Sequence, residues 1–451
     1  MRLRAGQRRG SVAALGVAQT VAWASSYYLP AVLATPMARS FGVSPVWVFA
    51  AFSMAMVLSA LVGPAAGAWI DRSGGRGVLA ATSVVFAAGL ALLACSPSVT
   101  VMFRAWALIG VGMGAGLYEA AFATLTGVYG RAARGPITGI TLIAGFASTV
   151  GWPLSAYMDA EIGWRAACFV WAALHLVIAL PMHWKLIPAV ADAAVAPLSG
   201  TAASAPAAPV PASPGTAVPD LMASGNATPA TATPDTEAQD TATSVTATPG
   251  TATLGTPQPA PAERAAHRRR FALLGIYFAS TAFVTSAYAS HLPGLLTVMG
   301  AGAAGAVFAA ALLGPAQVAA RLAEFGIISR YKVHALVTAR AATALHPLAC
   351  VLLAVFGGPP MLAAVFALLH GAGNGMITIA KGTLPLALFG PAGYGLTQGW
   401  LGVGARVMQA AAPYAFGLVL DGWGGHAALA ISAALSLLAL GVLFALKQES
   451  V

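Results

Sequence analysis

The chain has 451 residues, of which 58% are hydrophobic and only 8% charged, against about 25% charged for a domain whose surface faces water. That composition excludes a soluble globular protein and, despite 50 Gly and 29 Pro, a disordered or collagen-like chain as well. The formal charge of +10 does not indicate a nucleic-acid partner, because the basic residues sit at the ends of apolar stretches. Three Cys give no disulfide framework and no metal-type spacing.

A helix that crosses a bilayer takes about 20 mostly apolar residues. Twelve such stretches follow one another, centred near Val21, Met56, Ala87, Gly114, Gly145, Ala173, Ala282, Ala310, His346, Gly371, Met408 and Leu435. The expected fold is an all-α integral membrane protein with twelve transmembrane helices. The first stretch runs from about Ser11 to beyond Leu33, too long for the core of a cleaved signal peptide. Six spans fill residues 1–188. Residues 189–262 are nearly all Ala, Thr, Pro, Ser and Gly, with micro-repeats such as Ala232-Thr233-Pro234 and Ala247-Thr248-Pro249. Such a segment buries too little apolar area to offset its ordering entropy, which predicts a disordered linker. Six further spans fill residues 263–451. Lys and Arg set the orientation. With the N-terminus inside, that side holds Arg2, Arg4, Arg8, Arg9, Arg72, Arg76, Arg131, Arg134, Lys185, Arg264, Arg268, Arg269, Arg270, Arg321, Arg330, Lys332 and Lys447, and the other side only Arg39 and Arg165. Both termini and the linker are expected in the cytosol, the spans in the cytoplasmic membrane.

The two groups of spans echo each other in order. Leu29-Pro30 is matched by Leu292-Pro293, Gly63-Pro64-Ala65 by Gly314-Pro315-Ala316, Gly110, Gly112 and Gly114 by Gly371, Gly373 and Gly375, and Pro153 by Pro413. Two homologous six-helix halves with a binding site between them are expected. The short loop after the second span reads GPAAGAWIDRSGGR over residues 63–76. Its core of Gly67, Asp71, Arg72, Gly74 and Arg76 resembles the signature loop of the major facilitator superfamily. The twelve spans, the long central loop and a degenerate second copy from Gly314 to Arg330 agree with that resemblance, which covers nearly the whole chain except the linker. It implies a secondary transporter whose loop acts as a cytosolic latch for the outward-facing state. Asp71 is suited to face a helix N-terminus or an arginine, with Arg131 and Arg134 as candidate partners. The second copy has Leu322 in place of the Asp, so the latch is expected to be asymmetric. Gly145 to Pro153 matches poorly the Gly-rich stretch of proton-coupled drug antiporters in this superfamily, and Arg104 is displaced from the family's usual arginine in span four.

Ionisable groups inside the bilayer are functional suspects. Glu119 in span four is the clearest, since a carboxyl group taken out of water there favours its protonated form unless a cation partners it. Lys381 in span ten lies at similar depth, with snorkelling to the cytosolic face as the other reading. Arg406, near the middle of span eleven, shares a helix face with Gln409 and suits a carboxylate or another oxyanion. Tyr28 lies in the aromatic cluster Trp23, Tyr27 and Tyr28 of span one, and Tyr288 and His291 precede the proline of span seven. All of these are candidates for substrate binding or proton coupling. His346 and His370 read as packed side chains or proton relays, and Cys95, Cys168 and Cys350 sit in three separate spans. No ATP-binding loop, Ser-His pair or zinc-ligand motif stands out. The sequence therefore reads as a secondary transporter, not an enzyme, acting as a monomer without cofactors. It moves a small solute, an organic anion or an exported compound, with protons as coupling ion. A transport-inactive receptor or sensor on the same fold is the alternative.

Overall fold

The computed structural model describes residues 5–188, 261–331 and 333–446. The predicted linker lies outside them, except for its last two residues. The regular structure of the described residues is helical, as it must be where no water is present to bond free peptide groups. The α-helices are α1 Ala5–Ser25, α2 Pro30–Phe41, α3 Val46–Ser73, α4 Gly75–Ala94, α5 Val99–Gly116, α6 Tyr118–Tyr129, α7 Arg134–Ala144, α8 Ala147–Leu174, α9 Leu180–Leu186, α10 Pro261–Leu296, α11 Gly302–Ala311, α12 Leu313–Tyr331, α13 Ala335–Phe356, α14 Pro360–Phe389 and α15 Tyr394–Ala445. Seven helical stretches among the described residues are long and apolar enough to cross a membrane. Three of them, Val99–Leu186 with 88 residues, Pro261–Ile327 with 67 and Tyr394–Ala445 with 52, far exceed one crossing. The protein is thus an all-α, multi-pass membrane protein.

Glycines in left-handed or mirror-extended backbone break the long stretches. Gly163 (φ +79°) divides α8 and Gly424 (φ +79°) divides α15. A different break occurs at Leu117, which takes extended backbone (φ −84°, ψ −163°) between α5 and α6. It frees the carbonyl of Gly116, which accepts a hydrogen bond from Gln19 Nε2 of α1 at 2.7 Å.

The buried side chains form four apolar clusters. One gathers residues from Val21 to Trp171 around Trp106 and Phe86, and another gathers Phe283 to Leu429 around Tyr288 and Phe366. The third joins Leu15, Phe122 and Ile137 to Leu386 and Tyr394, and the fourth joins Leu274 and Tyr277 to Leu443. Small residues let backbones touch. A Cβ on Gly110 would lie 2.5 Å from the Ala55 carbonyl oxygen, and one on Gly371 would lie 2.8 Å from that of Leu313. Gly114 against Ser59 (2.7 Å) and Gly375 against Gln317 (2.5 Å) repeat the pattern one turn on. The helix pair α3–α5 and the pair α12–α14 therefore cross through glycines at the same four-residue spacing.

Candidate functional site

A cavity opens between these helices. Trp23, Tyr27 and Tyr28 of α1 and the turn after it form an aromatic wall with Tyr118 and Phe122 of α6. The Trp23 and Tyr118 ring centroids are 4.9 Å apart, and Tyr118 stacks on Phe122 at 5.3 Å. Polar side chains come from the later helices: Thr285, Gln317, Asn374, Thr378, Gln398 and Gln409. The charged lining residues are Glu119, Arg321, Lys381 and Arg406.

The break at Leu117 positions Glu119. It places the carboxylate in the first turn of α6, where the partial positive charge of a helix N-terminus favours an anion. Glu119 Oε2 meets Arg406 Nη2 at 2.8 Å. Arg406 also donates from Nη1 to Ser59 Oγ of α3 at 2.6 Å and from Nη2 to the Met113 carbonyl of α5 at 3.3 Å. Its side chain is only 6% exposed. One guanidinium on α15 is thus held by three groups from the N-terminal part of the chain.

Arg321 corrects the sequence reading, which placed it in a cytosolic segment. Gly314-Pro315 does not end a helix; it lies in the first turn of α12, which continues to Tyr331. Arg321 is therefore about 15 Å inside the end of that helix, buried against the cavity. Its Nε donates to the Gly375 carbonyl at 3.2 Å and Nη1 to the Thr141 carbonyl at 3.2 Å. Nη2 approaches Gln317 Oε1 and Thr378 Oγ1 at 3.4 Å each.

Of the predicted binding residues, the cavity brings together Glu119, Arg406, Lys381, Gln409 and Tyr28. Two others lie elsewhere. Tyr288 is buried in the second cluster, where its hydroxyl pairs with Ser432 Oγ at 2.8 Å and its ring packs on His346 and His370. His291 Nε2 bonds the Pro413 carbonyl at 2.7 Å. Both residues are on α10, but the cavity is met by another face of that helix, through Phe278 and Thr285. His346 and His370 bond each other through Nδ1 at 2.8 Å, and the three cysteines do not converge.

At the end of the cavity bearing Asp71, α3 and α15 form a seam. Asp71 Oδ1 accepts from the Gly395 N–H and Oδ2 from the Leu396 N–H, both at 2.8 Å. The carboxylate therefore caps the N-terminus of α15, and neither Arg131 nor Arg134 is its partner. Arg131 is exposed, and Arg134 donates to the Val333 carbonyl. Arg72 is exposed, while the Arg76 guanidinium lies 4.8 Å over the Trp184 ring. Gly74 (φ +77°) makes the turn from α3 into α4. Above Asp71 the seam is backbone on backbone. A Cβ on Gly67 would lie 2.0 Å from the Gly395 carbonyl oxygen, and one on Gly399 would lie 2.6 Å from that of Gly63. Gly63 and Gly67 face Gly395 and Gly399 at the four-residue spacing of closely crossing membrane helices. The sequence reading found Gly67 and missed its partners.

Residues 15–380 match the sequence profile of the Major Facilitator Superfamily. Several solved structures resemble the chain over nearly its full length. The human organic anion transporter MFSD10 (TETRAN) is 16% identical with a TM-score of 0.65, covering 98% of this chain and 100% of that one. FucP, a major facilitator superfamily transporter in the outward conformation, is 14% identical with a TM-score of 0.66, covering 97% and 99%. The proton:xylose symporter XylE bound to 6-bromo-6-deoxy-D-glucose is 11% identical with a TM-score of 0.63, covering 97% and 96%. At these identities the likeness is one of fold.

Proposed function

Because the chain belongs to the major facilitator superfamily, we propose that it is a secondary transporter, not an enzyme, moving a small solute across the cytoplasmic membrane by proton-coupled alternating access. Twelve spans in two six-helix halves, residues 1–188 and 263–451, are supported by the positive-φ breaks at Gly130, Gly163, Gly300 and Gly424, which cut the three overlong stretches into shorter pieces. The matched glycine crossings support the relation between the halves. The basic residues at the Asp71 end make that end cytosolic. With the seam of α3 and α15 closed there, the cavity is sealed on the cytosolic side, and transport requires the seam to part.

The observation that carries the reading is the Glu119–Arg406 pair. It joins the two halves at the cavity, and its acid member can be neutralised by one proton. Protonating Glu119 removes the charge that holds Arg406, which weakens the link between halves and favours the cytosol-open state. Reloading the carboxylate with its arginine restores the closed state. One proton per cycle is then tied to one conformational exchange.

The test is a spin-label distance measurement between Ser73→Cys and Ala392→Cys in a variant lacking Cys95, Cys168 and Cys350. Glu119→Gln should lengthen the cytosolic distance relative to the parent protein. A distance insensitive to Glu119→Gln would refute the coupling role.

A further inference from the structure

The cavity is electrostatically lopsided. Among its described lining residues three are cationic and one, Glu119, is a carboxylate. That carboxylate is already committed to Arg406 at 2.8 Å. Arg321 and Lys381, both from the C-terminal half, make no ion pair among the described residues.

Their placement is not random with respect to the repeat. Gly114 of α5 and Gly375 of α14 make equivalent crossings, so α6, which continues α5, corresponds to the later part of α14. Glu119 stands on the one and Lys381 at similar depth on the other. On the N-terminal side the acid finds Arg406. On the C-terminal side a lysine stands instead. Arg321 Nη2 approaches Thr378 Oγ1, and Thr378 shares a helix face with Lys381 one turn on. Both cations line the same cavity. Glu119 and Arg406 are the charged groups that act on Lys381, and Glu324, three residues on in α12, acts on Arg321, but no carboxylate among the described residues forms an ion pair with either cation.

The hydrogen bonds separate the two arginines. Arg406 is held at 2.6 and 2.8 Å by a hydroxyl and a carboxylate. The four contacts of Arg321 run from 3.2 to 3.4 Å and go to neutral oxygens. A guanidinium bonding an anion closes to about 2.7–2.9 Å. Arg321 is buried and loosely satisfied, and the buried carboxylate of Glu324 acts on it without forming an ion pair, so the guanidinium remains free to bond a visiting anion. The aromatic wall across the same cavity offers a flat apolar surface.

We propose that the transported solute is a small organic carboxylate, its anionic group held by Arg321 and Lys381 and its apolar body lodged against Trp23, Tyr28 and Tyr118. This deepens the transporter reading and rests on it. It also moves the anion-binding role that the sequence suggested for Arg406 to Arg321. Inorganic oxyanions share the charge but leave the aromatic wall unused, so the organic acid is the favoured occupant.

The test is thermal stabilisation and titration calorimetry of the purified full chain with benzoate, phenylacetate, pyruvate and succinate. The controls are benzamide, benzylamine, phosphate and sulfate. At least one carboxylate should bind, and the amide, the amine and the inorganic ions should not. Arg321→Gln and Lys381→Gln should each weaken that binding tenfold or more, while Arg321→Lys retains part of it. Size-exclusion profiles identify any variant that fails to fold, and for such a variant the Arg321→Lys and Lys381→Gln results decide. Stronger binding of the neutral, cationic or inorganic probes, silence from all four carboxylates, or unchanged affinity in both charge-removing variants would overturn the assignment. The opening between Ser73 and Ala392 on Glu119→Gln is read without ligand, so its presence would leave the transporter standing while this proposal falls.

Discussion

Gly67→Ala should spring the seam between α3 and α15 without unfolding the protein. The added methyl would start 2.0 Å from the Gly395 carbonyl oxygen, while ordinary contact begins at 3.4 Å. The deficit is 3.4 − 2.0, about 1.4 Å, and both neighbours are backbone, so the helices themselves must separate. Asp71 sits one turn along the same helix, and its two bonds of 2.8 Å would stretch to about 4.2 Å, beyond hydrogen-bond reach. Charge-assisted bonds contribute about 1.5–3 kcal/mol each when buried. Asp71 is exposed, so about 1 kcal/mol each, or ~2 kcal/mol together, is the working figure. At 1.4 kcal/mol per tenfold that is a shift of about 30-fold toward the cytosol-open state. The seam is absent from that state, so expression and membrane insertion should match wild type. The Ser73–Ala392 spin-label pair measures the shift directly. A distance distribution indistinguishable from wild type would show that the seam is not the closure, and the reasoning would fail.

Asp71→Asn keeps one acceptor oxygen for the α15 N-terminus and loses the charge and the second, so the same label pair should report a smaller opening, about tenfold, with reduced turnover; wild-type behaviour in both would contradict it. Glu119→Gln should abolish accumulation driven by a proton gradient in proteoliposomes while sparing one-for-one exchange, and continued concentrative uptake would place the coupling group elsewhere. Gly110→Ala makes a clash of 2.5 Å with Ala55, inside one half rather than between halves. It should therefore lower the melting temperature through an overpacking cost of about 1–3 kcal/mol and leave the ratio of open to closed states unchanged, with the opposite pattern counting against the division into halves. His334 caps α13, its Nδ1 accepting from Leu336 N, which requires a neutral ring. Burial, with Arg134 and Arg340 nearby, lowers its pKa. The cap is therefore intact above the unfolded value of about 6.5 and is lost as pH falls through the lowered folded one. His334→Asn should flatten the loss of thermal stability below about pH 6, and an unaltered pH profile would argue against it.

The membrane class and the family were legible because they rest on composition and on one short polar motif in an apolar chain, most of which the structure places in the last turns of α3 rather than in a loop. Asp71 stood out for that reason, and its role at a helix N-terminus followed from its charge. Glu119, Lys381 and Arg406 stood out because charge is costly at mid-span. Arg321 was misplaced because Gly314-Pro315 looks like a helix end, whereas the backbone stays helical through Leu312 and on to Tyr331. Tyr288 and His291 were misassigned because membrane helices carry apolar side chains on lipid-facing and packed faces alike, so periodicity does not say which face meets the cavity. Thr285, Asn374 and Gln398 were missed for a related reason. A neutral polar residue in a span is unremarked until its neighbours are known. The break at Leu117 has no local signature beyond Gly114 and Gly116, which serve helix crossings elsewhere.

That break has a mechanical consequence. A helix interrupted at Leu117 can turn there as a lever, and α6 extends 12 residues beyond it, or about 18 Å. A swing of about 30° would carry the Gly130 end some 9 Å and displace Glu119, roughly 3 Å from the fulcrum, by only about 1.5 Å. The carboxylate would rotate far more than it travels. Hydrogen bonds fail by angle as readily as by length, so its bond to Arg406 could be undone while both side chains stay in the same small volume. A large stroke at the membrane surface and a subtle reorientation at the midplane would then be two readings of a single hinge.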